Sequence, residues 1–152
     1  GEWSARPSKQ GKAEVTLYAD VDGKRTRMGQ MKFRVKPVPP PTPFVQFSLD
    51  VNGTTVIERM KMVNAGGIQA NLEDFDFDGV RYVITSFTLT GVYKGEQQKV
   101  IGKGPKFTDQ MLNVIKNTKS GNAITISNIK AKRVDAKNTK VRALDPLVIE
   151  IK

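Results

Sequence analysis

Alternating apolar and polar positions near the start of the chain predict a β-hairpin. Residues 13–19 alternate with the period of a half-buried strand. Asp22 and Gly23 are a strong turn signal, and residues 24–35 return as a second strand with a break near Gly29. The apolar face of this hairpin comprises Ala13, Val15, Leu17, Met31, Phe33 and Val35. The basic face of the returning strand comprises Arg25, Arg27, Lys32, Arg34 and Lys36.

This hairpin is too small to form a domain by itself. Two or three strands bury too little apolar surface to be stable in water. We therefore interpret residues 1–36 as the last strands of a β-domain that begins before residue 1. We expect either upstream strands or the strands of a partner chain to cover the apolar face.

A proline-rich segment separates the hairpin from the rest of the chain. Five of the eight prolines lie within residues 37–43. Proline fixes φ near about −65° and lacks a backbone N–H, so the run predicts polyproline II. At about 3.1 Å per residue, residues 36–43 span roughly 25 Å as a semi-rigid spacer, whereas an ordinary surface loop is the alternative. The predicted hinge residues are Pro37, Pro39, Pro40, Pro41 and Pro43.

The pattern after the prolines predicts a second, larger β-domain over residues 44–152. Residues 44–51 read as one strand that ends at a turn, and residues 56–64 have the apolar spacing of a short helix that Gly66 and Gly67 terminate. The other segments are a strand-rich stretch over 68–90, a glycine- and lysine-rich connection over 91–105 with a weak strand at 98–101, and strands over 123–130, 132–135 and 147–151.

The clearest helix covers residues 108–119. Thr108 is a good N-cap, and Gly121 follows the last turn. Its predicted buried stripe is Met111, Leu112 and Ile115. The predicted fold class is therefore mainly β, a β-sandwich-like second domain with one packed α-helix, preceded by the last strands of another β-domain.

Composition excludes several kinds of chemistry. The 152 residues include no cysteine and no histidine, which removes disulfides, thiolate metal sites and the usual general base. No apolar run approaches the roughly 20 residues that span a bilayer, and the first residues do not resemble a signal peptide. We therefore expect either a cytosolic protein or a fragment whose targeting segment lies upstream, without enzymatic activity or a cofactor.

Two motifs suggest chemistry only superficially. Residues 74–79 match the first half of a calcium loop, D-x-D-x-D-G, but Thr85 stands where the loop needs a bidentate glutamate. A strand with outward carboxylates is the preferred interpretation. Residues 102–106 (GKGPK) lack the spacer and the Lys-Ser/Thr pair of a phosphate-binding loop, so we interpret them as a flexible basic loop.

The net charge of +10 raises the question of an acidic partner. The lysines are spread along the chain without the aromatic and basic strand signature of RNA-binding domains, which argues against nucleic acid. A polyanion-binding β-module remains the alternative function, and steep salt dependence would reveal it. A carbohydrate-binding domain would need exposed aromatics, for which the candidates are Trp3, Tyr18, Tyr82 and Tyr93.

Five short stretches follow one another in a distinctive order. They are KFRVKPVP (32–39), AGGI (65–68), LEDFDF (72–77), KFTDQ (106–110) and LDPLVI (144–149). Their order and spacing resemble the C-terminal periplasmic region of the GldM/PorM family of gliding-motility and type IX secretion proteins. The resemblance spans nearly the whole chain, although no single motif is distinctive.

This resemblance implies a periplasmic shaft protein. Members of the family are anchored in the inner membrane and form a proton-driven motor with a GldL/PorL-type partner. They extend as homodimers to an outer-membrane-associated ring of the GldK/GldN (PorK/PorN) type. Residues 1–36 then resemble the end of an immunoglobulin-like penultimate domain, and residues 44–152 resemble the last domain, nearest the ring. The inner-membrane partner would bind a region upstream of this chain.

Two site predictions combine the resemblance with the sequence. The proline segment would set the angle between the two domains, and Gly/Ser replacements that left solution scattering unchanged would refute this. Either the basic stretch 94–106 or the helix end near 116–119 would contact the ring through its charge. The candidate partner-binding residues are Lys94, Lys99, Lys103, Lys106, Lys116 and Lys119.

Overall fold

The chain divides into two compact units, residues 1–39 and residues 40–152. The structure is a computed structural model that describes residues 5, 7, 9–72, 80–134 and 139–152. Each unit has its own sheet structure, and the two are described in turn.

The first unit is the predicted hairpin. Strand β1 (Gly11–Val21) pairs antiparallel with strand β2 (Lys24–Val35). The turn residues Asp22 and Gly23 have φ values of 52° and 77°, which is the backbone of a type I′ turn. The register shifts where Leu17 faces Gly29 and Tyr18 faces Arg27, so the predicted break near Gly29 is confirmed as a β-bulge.

The second unit contains the remaining strands and both helices. Its elements are β3 (Thr42–Phe44), β4 (Leu49–Val51), β5 (Thr54–Ile57), α1 (Arg59–Ala65), β6 (Gln69–Asn71), β7 (Tyr82–Tyr93), β8 (Glu96–Lys103), α2 (Asp109–Asn117), β9 (Ala123–Arg133), β10 (Arg142–Ala143) and β11 (Leu147–Ile151). Six strands of a seven-stranded sheet follow the order β4-β5-β11-β9-β7-β8, and β10 pairs with β9. Strands β11 and β5 run parallel, and β3 and β6 form a separate antiparallel pair.

One hydrophobic core joins these layers. The large sheet contributes fully buried side chains from neighbouring strands, and α1, α2 and the segments flanking the small sheet contribute Met62, Met111, Ile115, Val45 and Ile68. The sheet residues include Phe87, Leu89, Ile124, Ile126, Ile149 and Ile151. The predicted mainly β, sandwich-like domain with a packed helix is therefore confirmed.

Two glycines allow helix α2 to pack closely on the sheet. A Cβ atom at Gly91 of β7 would lie 2.7 Å from Val114 Cγ1, and one at Gly102 of β8 would lie 2.8 Å from Met111 Cε. A side chain at either position would displace the Val114 or Met111 side chain from its place on the sheet. Because Met111 lies over Gly102 and Val114 lies over Gly91, α2 runs toward the turn that joins β7 and β8.

The local signals of α2 are where the sequence predicts them. The Thr108 hydroxyl accepts a hydrogen bond from the Met111 backbone N–H at 3.3 Å, which confirms the N-cap. Met111 and Ile115 are buried as predicted, together with Val114. The helix ends at Asn117, slightly earlier than predicted, because Thr118 has an extended backbone with a ψ of 125°. The buried Thr118 hydroxyl donates to the Val114 carbonyl at 2.8 Å.

The segment that follows α1 is hydrogen-bonded to the segment that precedes α2. Gly66 adopts a left-handed φ of 68° and ends α1, as predicted. The Ile68 N–H donates to the Pro105 carbonyl, and the Phe107 N–H donates to the Gly66 carbonyl, both at 2.9 Å. The second of these bonds joins two of the five stretches noted in the sequence, AGGI and KFTDQ.

The prediction of one strand over residues 44–51 is wrong. Strand β3 ends at Phe44, and β4 begins only at Leu49. Between them Phe47 has a positive φ of 69°, and the Ser48 N–H donates to the Val45 carbonyl at 3.2 Å. A local turn therefore interrupts the apolar run.

The predicted helix over residues 56–64 begins too early. Val56 and Ile57 belong to β5, where they face Glu150 and Ile151 of β11, and α1 starts at Arg59. The apolar residues with helical spacing therefore belong to two elements, the end of β5 and helix α1.

The predicted connection over residues 91–105 is mostly strand. β7 continues to Tyr93, and β8 runs from Glu96 to Lys103 after a two-residue turn. The turn residues Lys94 and Gly95 have φ values of 53° and 83°, as in a type I′ turn.

The C-terminal part also differs from the prediction. The two strands predicted over 123–130 and 132–135 form one strand, β9, as far as Arg133. Asn128, with a φ of 50°, lies where the register with β7 shifts.

Among the described residues, neither α1 with seven residues nor α2 with nine is long enough to cross a membrane.

Candidate functional site

The motifs that suggest chemistry do not form a site among the residues that the structure describes. Residues 74–79, the half calcium loop, lie outside the described residues, and the described residues contain no acidic cluster able to hold a metal ion. The interpretation of 102–106 as a flexible loop is wrong. Gly102 and Lys103 end strand β8, and the Gly104 N–H donates to the Thr85 carbonyl at 2.8 Å.

A small cavity of about 290 Å³ lies within the second unit. Asp145 is the one ionisable residue that lines it. The other lining residues are Pro40, Pro41, Thr42, Pro43, Ala143, Leu144, Pro146 and Leu147. This lining offers no pair of groups for acid–base chemistry.

The proline segment belongs only in part to an exposed spacer. Pro37 and Pro40 are exposed, whereas Pro41 and Pro43 are buried within the second unit. Pro43 lies in β3, where it faces Ala70 of β6. Packing and strand pairing therefore hold Pro41 and Pro43 within the second unit. The hinge over Pro37, Pro39, Pro40, Pro41 and Pro43 stays a prediction.

The six candidate lysines are distributed over several elements of the second unit. Lys99 and Lys103 lie on β8 with alternating exposed positions, and Lys106 faces Gly67 in an isolated bridge. Lys94 occupies the β7–β8 turn, with its Nζ 5.4 Å from the centre of the Tyr93 ring. The C-terminal end of α2, with Lys116, points toward the same end of the sheet.

All six lysines are exposed and lie without an acidic partner in the part of the chain that the structure describes. Among the residues that the structure describes, none of them forms a salt bridge within 4.0 Å; the ion pair seen there joins Lys61 to Glu58 at 2.7 Å. An exposed, unpaired lysine costs little to bring against an acidic partner surface, because no internal pair must be broken. The strip along β8 is the most regular part of this basic surface.

The first unit presents an exposed apolar face. Val15 faces Met31 across the hairpin and Ala13 faces Phe33, so the predicted apolar side chains do share one face. Leu17 is 63% exposed and Met31 is 65% exposed. Within the described part of this unit, no residue covers the face, and a contiguous exposed apolar face is typical of an interaction surface.

The other face of the hairpin is basic, as predicted. Lys32 faces Glu14, Arg34 faces Lys12, and the Arg25 guanidinium carbon lies 4.5 Å from the centre of the Tyr18 ring. The arginine lies over one face of the Tyr18 ring, whose side chain is 47% exposed.

Sequence reasoning missed one exposed residue that marks the β8 surface. Ile101 is 72% exposed, between Lys99 and Lys103 on the outer face of β8. The available signal was the alternation of Lys99, Ile101 and Lys103 with Val100 and Gly102, which the high glycine and lysine content of the region obscured.

Comparison with known proteins adds one finding. Residues 39–152 match the family model described as the GldM C-terminal domain. This range coincides closely with the second compact unit, residues 40–152. A search of curated proteins finds no match.

Proposed function

Because the chain belongs to the GldM family through its C-terminal domain, we propose that it is a non-enzymatic periplasmic shaft component of the type IX secretion and gliding motor. The family is a structural component of motility and secretion machinery. In this proposal the second unit meets an outer-membrane-associated ring of the GldK/GldN (PorK/PorN) type through protein–protein contacts. The match over residues 39–152 is the observation that carries the proposal.

The surface of the second unit supports a role in protein binding. The six candidate lysines have no acidic partners among the described residues, and the cavity of about 290 Å³ has mainly apolar, proline-rich walls. Uncompensated charge favours fast, salt-sensitive association with a surface of opposite charge. The proposed ring contact therefore involves the β8 strip or the end of α2.

Charge reversal tests this contact. We expect Lys99→Glu combined with Lys103→Glu to weaken binding of the chain to purified ring proteins at least tenfold at low salt, because attraction becomes repulsion. The measurement is the equilibrium dissociation constant at two salt concentrations. Lys9→Glu combined with Lys12→Glu makes the same change of charge in the first unit and should leave binding unchanged.

Each other outcome has a definite meaning for the proposal. If the Lys99 and Lys103 variant binds normally while Lys116→Glu with Lys119→Glu does not, the ring contact lies at the end of α2. If neither pair matters and the unaltered chain does not bind the ring proteins, the proposed contact is wrong. Binding to nucleic acid instead, with steep salt dependence, would favour the polyanion alternative.

We also propose that the apolar face of the first unit is covered by a second copy of the chain. The face is long, with exposed side chains from both strands, and an isolated hairpin is only marginally stable in water. Pairing of two copies in the periplasm would bury Leu17, Met31 and Phe33 and thereby stabilise both hairpins.

Light scattering across a concentration series tests this pairing. We expect the unaltered chain to be dimeric, and Met31→Glu with Phe33→Glu to be monomeric, because burying two carboxylates in an apolar interface is unfavourable. Lys32→Gln lies between them on the opposite face and should remain dimeric. A monomer at every concentration for the unaltered chain would contradict the proposal.

A further inference from the structure

Strand β8 forms a long open edge of the seven-stranded sheet. Within the described ranges, β8 pairs only with β7, over eight residue pairs from Ser86 facing Lys103 to Tyr93 facing Glu96, without a register shift. The strand at the other end of the sheet, β4, has three residues. Natural proteins commonly protect sheet edges by short strands, bulges, proline or charged side chains, lysine above all. Strand β4 is short, whereas β8 is long, regular and free of proline, and its edge carries Lys99 and Lys103.

The hydrogen-bonding groups on this edge can be assigned to particular residues. The Gly104 N–H donates to the Thr85 carbonyl at 2.8 Å, so residues 85 and 104 form a hydrogen-bonded pair. In an antiparallel ladder, hydrogen-bonded and non-hydrogen-bonded pairs alternate. Every second residue of β8 therefore directs its N–H and C=O away from β7. These residues are Gln97, Lys99, Ile101 and Lys103.

The same four residues form the exposed outer row of side chains on β8. Ile101 is 72% exposed, the largest exposed fraction among the large apolar side chains described, and it lies between Lys99 and Lys103. Lysines at an edge discourage pairing with like-charged strands. A lone exposed isoleucine between them provides an apolar contact for an incoming side chain. Lys99 and Lys103 therefore favour an acidic partner strand, and Ile101 offers that strand an apolar contact.

We infer that the open edge of β8 binds an extended acidic segment of a partner protein by strand addition. The partner strand pairs with the outward main-chain groups of β8. It places acidic side chains opposite Lys99 and Lys103 and an apolar side chain against Ile101. The inference rests on the proposed function, because it specifies which kind of partner segment binds at the proposed ring contact.

A second copy of the chain is the less favourable occupant. Symmetric antiparallel pairing of two β8 strands about Ile101 would place Lys99 of one copy opposite Lys103 of the other. Like charges directly opposite each other in a sheet are destabilising.

Amide hydrogen exchange on the whole chain tests strand addition. The probe is a synthetic peptide of about nine residues in which glutamate alternates with threonine around a central valine. We expect the peptide to slow exchange at the amides of Gln97, Lys99, Ile101 and Lys103 at least tenfold, because these N–H groups gain acceptors. The same peptide with methylated central amides keeps its charge but lacks main-chain donors, so it should bind at least tenfold more weakly.

A pair of variants separates strand pairing from charge attraction. Ile101→Pro removes an N–H that makes no bond to β7, and proline is tolerated on such an edge. We expect this variant to lose at least tenfold in peptide affinity, while Ile101→Thr keeps the N–H and loses less. Amide spectra of both variants should resemble those of the unaltered chain away from β8.

Several results would overturn the inference. One is peptide binding without protection of the four outward amides, and another is equal binding of the methylated peptide. Concentration-dependent protection without any peptide would assign the edge to a second copy. If Ile101→Pro binds the ring proteins normally while charge reversal at Lys99 and Lys103 abolishes binding, strand addition fails but the proposed ring contact stands.

Discussion

Replacing Phe87 with alanine should lower the free energy of unfolding of the second unit by about 4 kcal/mol. Phe87 is 1% exposed at the centre of β7. Its ring meets the Phe107 ring edge to face, with centroids 6.0 Å apart and an angle of 75° between the planes. The truncation removes this contact and leaves a cavity between the sheet and the segment preceding α2, which the rigid strands cannot close.

Urea denaturation followed by circular dichroism measures the Phe87 effect. Phe47→Ala is the matched control, because Phe47 is 52% exposed and its ring makes little buried contact. We expect the control to cost less than about 1 kcal/mol. Equal losses for the two variants would show that the core is not organised around Phe87 as described.

Replacing Gly67 with alanine should be nearly as damaging, by about 3 kcal/mol. A Cβ atom at this position would collide with the carbonyl oxygen of Pro105, which is backbone and cannot rotate away. That carbonyl also accepts the Ile68 N–H at 2.9 Å, so moving it breaks a hydrogen bond between the segments that flank the two helices. The cost is therefore steric strain together with a lost hydrogen bond.

The same denaturation experiment applies to Gly67→Ala. The control is Gly29→Ala, where an added Cβ meets no atom within 4 Å and φ is not positive. The control should leave the unfolding midpoint of the second unit unchanged. A Gly67→Ala variant as stable as the unaltered chain would mean that the two segments do not approach each other closely.

Elements defined by local signals could be predicted from the sequence. The β1–β2 hairpin follows from strict alternation around Asp22 and Gly23, and the bulge lies near the predicted break at Gly29. Helix α2 follows from its N-cap Thr108 and the apolar spacing of its buried stripe. In these segments the local preference and the tertiary structure agree.

Elements defined by distant partners could not be predicted. Val56 and Ile57 fit a helical pattern, but they pair with β11, which is more than 90 residues away along the chain (150 − 56 = 94). The N-cap of α1, Glu58, makes no side-chain capping bond, so no signal marks where this helix begins. Pairing with β11 therefore outweighs the weak helical preference of Val56 and Ile57.

The candidate site shows the same division between local and distant causes. The lysines are visible in the sequence, but Gly91 and Gly102 suggested a loop between them. Both glycines are instead strand residues that make room for α2. The strand and loop preferences of single residues do not reveal such a contact between distant elements. The outer row of β8, including Ile101, became recognisable only when the register with β7 was known.

Deleting residues 40–152 from the full-length protein in its native cell tests the central claim most directly. If the second unit joins the shaft to the ring, the shortened protein should remain in the inner membrane with its motor partner. It should no longer co-purify with the ring proteins, and gliding and secretion should stop. Immunoblots establish that the shortened protein is present. Normal secretion with undiminished ring co-purification would contradict the account.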